Sequence, residues 1–220
     1  MPIPKVIYQT YKGKIPWYSH FYIWRFRQKN KDFEYEFYND ERIDSFIKEN
    51  FPEDVYYAYC RLQIGAAKAD FFRYAILYKK GGVYLDIDSD ILVNLNTFIQ
   101  PNNNNAILAY EENSNIFAQW ALFYEKNHPF LEETIKLVVK NIQENRYPYN
   151  VHAMTGPSIY TLAIRKVLFK NPDISFRMAK RNFKGILKSK YMLARILMNR
   201  RINPEHWRRK QLTTPVAKPE

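Results

Sequence analysis

The chain has 220 residues, 46% of them apolar and 17% aromatic, with 34 Lys and Arg against 22 Asp and Glu for a net charge of +12. That length and apolar share predict a folded, soluble protein with one core. The single cysteine, Cys60, excludes an internal disulfide, and no apolar run is long enough for a signal peptide or a membrane span. The expected location is cytoplasmic. The positive charge gathers after Arg165 and calls for a polyanionic partner, whether phosphate, anionic lipid or nucleic acid.

In chain order, Lys5 to Thr10 reads as a buried first strand, Tyr18 to Lys29 as a helix, and Phe33 to Tyr38 as a half-buried second strand with strict alternation. Asn39-Asp40 suits a helix cap, Glu41 to Glu49 is expected to be helical, and Pro52 interrupts it. Gly65 to Lys80 has helical spacing and ends at Gly81-Gly82. A strand follows over Val83 to Asp88, with Tyr84, Asp86 and Asp88 on the face opposite Val83, Leu85 and Ile87.

Asn102 to Asn105 marks a loop and Ala106 to Ala109 a further strand, while Phe117 to Tyr124 and Leu131 to Asn145 read as helices. Thr155-Gly156-Pro157 opens another helix that runs to about Phe169. Met178 to Arg201 is a basic amphipathic stretch suited to lie on an anionic membrane surface, and the tail after Gln211 is expected to be disordered. The division is one α/β domain over 1–175, a basic extension of it over 176–210, and a tail over 211–220.

The chemistry concentrates at the acidic strand. Two carboxylates, Asp86 and Asp88, on one face of an otherwise apolar strand need a cation or hydrogen bonds to meet their charge. Hard divalent ions, Mn²⁺ or Mg²⁺, take such oxygens and complete their shell with a substrate diphosphate, which a nucleotide-sugar supplies. Asp70, Arg73 and Tyr74 share a face of the preceding helix. Asp90 extends the acidic pattern as a candidate third ligand but reads rather as a supporting or solvated residue, and His206 is a candidate further metal ligand. Glu111 and Asn115, in the loop after a predicted strand, and His152, Thr155 and Gly156, before the later helix, are candidate acceptor-site residues.

The run Ala69-Asp70-Phe71-Phe72-Arg73-Tyr74, with Leu77-Tyr78 and Gly81-Gly82-Val83-Tyr84-Leu85-Asp86-Ile87-Asp88, closely resembles the DXD-containing sugar-binding region of glycosyltransferase family 32. Ile3 to Tyr11, Phe37-Tyr38-Asn39-Asp40, Asn127-His128-Pro129-Phe130 and Thr155-Gly156-Pro157 resemble further landmarks of that family. Tyr8 and Tyr11 stand where His and Trp are usual, and His206-Trp207 is similar to a terminal His/Trp element.

The resemblance implies a GT-A fold, a Rossmann-like α/β/α sandwich with a mixed central sheet, and hexosyl transfer with retention of configuration from a UDP- or GDP-linked sugar to a glycan or glycolipid acceptor. It further implies that Asp70 and Arg73 contact ribose and donor sugar, Tyr84 and Asp86 the ribose and phosphates, Asp88 the metal, and Thr10 and Tyr11 the base. Asp86 and Asp88 are then the catalytic pair. The alternatives are a metal-dependent nuclease or phosphotransferase, a basic nucleic-acid-binding protein, or a non-catalytic carbohydrate-binding protein. The acidic strand face speaks against a polyanion lying there, so no nucleic-acid partner is expected.

Overall fold

The first strand, β1 (Val6–Thr10), lies between two parallel neighbours, β2 (Glu34–Tyr38) and β3 (Gly82–Leu85). The computed structural model describes residues 2–99, 105–112, 114–191 and 206–218. β3 pairs antiparallel with β6 (Ala121–Tyr124), which pairs antiparallel with β5 (Ala106–Leu108), and β7 (Arg177–Met178) runs parallel to β5. The sheet order is β2-β1-β3-β6-β5-β7, and β4 (Asp90–Ile91) with β8 (Leu187–Lys188) forms a separate ribbon.

Alternation on the strands divides the core into two layers. Tyr8, Tyr84, Leu122 and Tyr124 point to one face, against α4 (Gly65–Lys80), α6 (Pro129–Gln143) and α8 (Pro157–Lys170). Ile7, Val83, Leu85 and Phe123 point to the other, toward Phe26 of α1 (Ser19–Lys29), Phe98 of α5 (Leu95–Phe98) and Phe183. Helices on both faces of a mixed sheet give the expected α/β/α sandwich. The first layer also takes α2 (Asp40–Asn50), capped by Asn39 Oδ1 on the Arg42 amide, and α3 (Glu53–Arg61), whose start follows Pro52. Pro52 therefore opens a helix as well as ending one, because a residue before the first turn has no helical amide to lose.

The link from α4 to β3 is made of two glycines for a steric reason. Gly81 and Gly82 have φ of 68° and 110°. A Cβ on Gly82 would stand 2.9 Å from the Val6 carbonyl, and one on Gly81 would stand 2.8 Å from the Lys126 amide nitrogen. Only glycine lets β3 drop into the sheet this close to β1.

Several expectations are corrected. Phe117 to Tyr124 is extended, ending in β6, and its nearly unbroken apolar run is that of a strand buried on both faces. β3 stops at Leu85, so Asp86 and Asp88 lie just beyond it in a turn closed by the Ser89 amide on the Asp86 carbonyl at 2.9 Å. Over the described part of the basic stretch, 178–191, there is no amphipathic helix. Left-handed backbone at Asn182 and Gly185 breaks any helical run, and the segment forms the end of β7, a 3-10 turn and β8. Residues 192–201 of that stretch lie outside the described residues.

The tail is not disordered over 211–218. Val216 and Ala217 are fully buried, and the Gln63 and Lys218 amides bond to the carbonyls of Val216 and Arg61, both at 2.8 Å. Among the described residues no helix is long and apolar enough to cross a membrane.

Candidate active site

Parallel β1 and β3 end side by side, and the candidate site residues gather at this carboxyl-terminal rim, where open α/β sheets hold ligands. Arg73, on the buried face of α4, is 5% exposed and organises the site. Its Nη2 lies 3.0 Å from Asp86 Oδ1 and 3.3 Å from Asp70 Oδ1, and its Nη1 donates to the Gln119 carbonyl at 2.8 Å. The guanidinium also lies over the Tyr84 ring, 4.6 Å from its centroid. Tyr84 in turn donates its hydroxyl to Asp86 Oδ1 at 3.3 Å. A buried guanidinium between two carboxylates is held fully protonated, since Asp86, Tyr84 and Asp70 together outweigh the penalty of burial.

Asp70 faces inward. Its Oδ2 accepts from Thr155 Oγ1 at 2.9 Å, and its Oδ1 accepts from Gln119 Nε2 as well as facing Arg73. Burial pushes its carboxyl up to about 6, against the opposing pull of Arg73 and these hydrogen bonds. Tyr74 completes the cluster, its hydroxyl bridging Gln119 Oε1 at 2.9 Å and the Thr155 carbonyl at 3.0 Å. Thr155, expected near an acceptor, is fully buried and supports Asp70 instead. Gly156 packs against α7 (Val151–Met154), where a Cβ would meet His152 Cα at 2.8 Å, so it serves helix contact.

Asp86 and Asp88 form the open side. The Asp86 side chain is 32% exposed, while its backbone is pinned by its amide on the Trp120 carbonyl at 2.8 Å and by Gln9 Nε2 on its carbonyl at 3.1 Å. Asp88 is pushed up to about 6 by burial and by the Asp86 charge, with Lys190 pulling the other way. The Asp86 charge beside Asp88 makes a local negative field that favours a cation. Glu111 stands at the same mouth, its carboxyl pushed up by burial and by Asp86 and drawn down by Lys190.

Around Asp88 lies an aromatic wall. The Tyr191 amide donates to the Asp88 carbonyl at 3.1 Å, the Tyr191 ring stacks on Tyr22 at 3.6 Å, and the Tyr18 hydroxyl faces Tyr11. Tyr11 thus sits at the rim, whereas Thr10 is buried and donates its hydroxyl to the Tyr38 carbonyl at 2.8 Å. Sequence reasoning missed Gln119, Lys190 and Tyr191. For Gln119 the signal was present, as the lone polar side chain in the buried run Phe117 to Tyr124. Lys190 and Tyr191 carried none beyond the general basic and aromatic character of their segment.

The remaining candidates stand elsewhere. Asp90 is fully buried in β4 and paired with Arg25 of α1, so it is not solvated. His206 accepts from the Arg208 amide at 3.2 Å and caps the terminal helical turn Trp207–Lys210, and His152 packs its ring on Trp207 at 5.4 Å. Among the described residues no three His, Cys, Asp or Glu side chains converge as metal ligands, so His206 does not join Asp86 and Asp88 in such a set. Asn115 is exposed and offers its carbonyl to Arg165 at 2.9 Å.

The glycosyltransferase sugar-binding region containing the DXD motif matches residues 16–107, which hold Asp70, Arg73, Tyr84, Asp86 and Asp88. The chain is thus similar to glycosyltransferase family 32 over the part that holds these residues. It is 28% identical over 201 residues to an initiation-specific α-1,6-mannosyltransferase of Candida albicans, covering 73% of this chain and 52% of that protein. It is 31% identical over 175 residues to inositol phosphoceramide mannosyltransferase 3 of Schizosaccharomyces pombe, covering 75% and 46%. The chain spans about half the length of those two relatives.

Two solved structures share the fold. The PaToxG glycosyltransferase superposes with a TM-score of 0.64 at 18% identity, covering 100% of this chain and 82% of that one. The UDP-bound glycosyltransferase domain of the YGT toxin superposes with a TM-score of 0.59 at 10% identity, covering 85% and 80%. The fold is GT-A, as the sequence led us to expect.

Proposed function

We propose that the chain is a retaining hexosyltransferase that takes a UDP- or GDP-linked sugar and passes the hexose to a glycan or glycolipid acceptor. The observation that carries the reading is the Asp70–Arg73–Asp86 array at the sheet rim, with Asp88 beside it in a negative, partly buried mouth. Buried ionic groups of this kind are costly unless a ligand or a fixed network uses them, and they mark functional sites. The curated relatives named as mannosyltransferases, and the UDP in the YGT toxin domain, support the same reading.

The two carboxylates fit a hard divalent ion, Mn²⁺ or Mg²⁺, by donor type, and such an ion is ordinarily completed by diphosphate oxygens and water. When bound it would supply charge neutralisation for the departing nucleoside diphosphate. The chain's own residues do the rest by placement. Arg73 fixes the Asp86 carboxylate and offsets its charge, Tyr84 orients it, and Asp70 holds Arg73 in register. Contacts of Asp70 and Arg73 with ribose and sugar, and of Tyr11 with the base, belong to this proposal. We assign no protein nucleophile, and orientation and electrostatic stabilisation carry the rate.

The test is thermal stabilisation by UDP- and GDP-sugars with and without Mn²⁺, alongside release of nucleoside diphosphate. Stabilisation that needs sugar nucleotide and metal together is the expected result. Asp88→Asn should remove the metal-dependent part of the shift and reduce turnover by at least ~100-fold. Full turnover in that variant would defeat the assignment, and stabilisation by oligonucleotide alone would favour a nucleic-acid binder.

A further inference from the structure

α1 has two faces of opposite character. Ser19, Ile23 and Phe26 are buried in the domain, and Tyr22 stacks on Tyr191 beside Asp88. The outward stripe is aromatic. Trp17, in the turn that leads into the helix, and Phe21 and Trp24, at helical spacing from it, are 73%, 57% and 58% exposed. The rings of Phe21 and Trp24 lie 6.2 Å apart. Single exposed apolar residues are ordinary, but a contiguous row of large rings marks a surface that meets another phase or molecule.

The charge around the row is one-signed. Residues 1–31 contain seven Lys and Arg and no Asp or Glu. Lys5 and Arg25 are matched by Asp32 and Asp90, but Lys12, Lys14, Arg27 and Lys31 stand exposed around the ridge. Beside Trp24 a surface depression of about 510 Å³ is lined by His20, Arg27, Lys31 and neutral residues, with no carboxylate. A glycan could stack on the rings, but it would give no reason for a field in which exposed Lys and Arg outnumber the one exposed carboxylate, Asp32. Indole and phenyl rings flanked by Lys and Arg are instead the pattern of a helix lying at the interface of an anionic bilayer.

We propose that α1 and the turn before it dock the protein on anionic lipid, with Trp17, Phe21 and Trp24 at headgroup level and the neighbouring cations on lipid phosphates. The surface lies on another segment of the chain from the 178–201 stretch and meets it at Tyr191. It would hold Asp88 across one helix from the bilayer, through Tyr22 and Tyr191. The inference does not rest on the transferase reading.

The experiment is co-sedimentation of the full chain with vesicles of neutral phosphatidylcholine and of phosphatidylcholine containing phosphatidylserine. Tryptophan emission is followed in parallel. The wild type should bind the anionic vesicles at least ~10-fold more strongly than the neutral ones, with a blue shift, and lose binding in high salt. The variant Trp17→Ser/Phe21→Ser/Trp24→Ser should lose the blue shift and most of the binding at an unchanged thermal midpoint. Lys12→Glu/Lys14→Glu should weaken anionic binding only. Phe169→Ser, at a fully exposed ring on α8, should change nothing.

Absence of vesicle binding by the wild type overturns the proposal, and so does equal binding by the triple variant, which would place the contact in another segment. A dimer in sedimentation velocity that the triple variant dissolves would assign the ridge to a second copy and likewise overturn it. Should the triple variant misfold, the Lys12→Glu/Lys14→Glu result and quenching of tryptophan emission by brominated lipid decide in its place.

Discussion

Arg73 shows how one side chain can carry both stability and chemistry. Its guanidinium faces Asp70 and Asp86 in a setting with little water, so removing it leaves two carboxylates without their counter-charge. Arg73→Met should therefore destabilise the fold by about 3–5 kcal/mol, read by urea unfolding, and the added change Asp70→Asn should recover part of that loss. Gln119 has a quieter part, donating to Asp70 from its side chain and accepting from Arg73 on its carbonyl. Gln119→Leu should cost about 1–3 kcal/mol and lower donor affinity, because Asp70 and the Tyr74 hydroxyl each lose a buried partner. Asp70, Arg73, Tyr84 and Asp86 were legible in the sequence because helical and strand spacing put them on shared faces. Gln119 stood out only as the lone polar side chain of its run, and its partner was not legible, since it reaches Asp70 across 49 positions through a segment misread as a helix.

At the level of elements, the start of α6 makes a pH prediction. His128 is 1% exposed, its Nδ1 accepts from the Phe130 amide at 3.2 Å, and burial holds its ring down to about 4. The unfolded chain, with an ordinary histidine near 6.5, takes up its proton first as pH falls. The His128 contribution to stability is thus complete above about 6.5 and declines toward about 4, by up to ~3 kcal/mol. Asp70 runs the opposite way, because its raised carboxyl makes the folded state bind a proton more readily between about 4 and about 6. Comparing thermal midpoints of wild type and His128→Asn across this range isolates the histidine: the variant keeps an N-cap and should lose less stability in acid.

The glycine hinge before β3 is equally specific. Gly82→Ala, with φ of 110° and the Val6 carbonyl 2.9 Å from the new methyl, should cost at least about 1–3 kcal/mol of backbone strain, measured as a lowered urea midpoint. Elements with a clear period, such as α4 and α8, were read correctly within a residue or two. Phe117 to Tyr124 failed because a short, fully apolar run has no period to read.

For the whole molecule, the described residues after 175, namely 176–191 and 206–218, are part of the fold. β7 extends the main sheet beside β5, β8 pairs with β4, and Val216 and Ala217 enter the core beside Leu62. Deleting residues 211–218 should lower the stability of the entire domain by about 2–4 kcal/mol, from two buried apolar side chains and their backbone pairing, and should appear in calorimetry as one transition at a lower temperature. These long-range pairings were invisible in the sequence. A two-residue strand and a buried Val-Ala between prolines have no local signature, and only the existing core gives them a place.

That return of the chain onto α3 sets an order of events. Arg61 donates from Nε to the Lys218 carbonyl at 2.9 Å, a closure over 157 positions, so the groove at Leu62 has no occupant until residues 215–218 have been made. A nascent chain would carry a nearly finished sandwich with one greasy seam still open, exposed to chaperones and to other unfinished copies. Closing a loop of that length is slow relative to helix formation, and the closing strap is then the step at which refolding and aggregation compete.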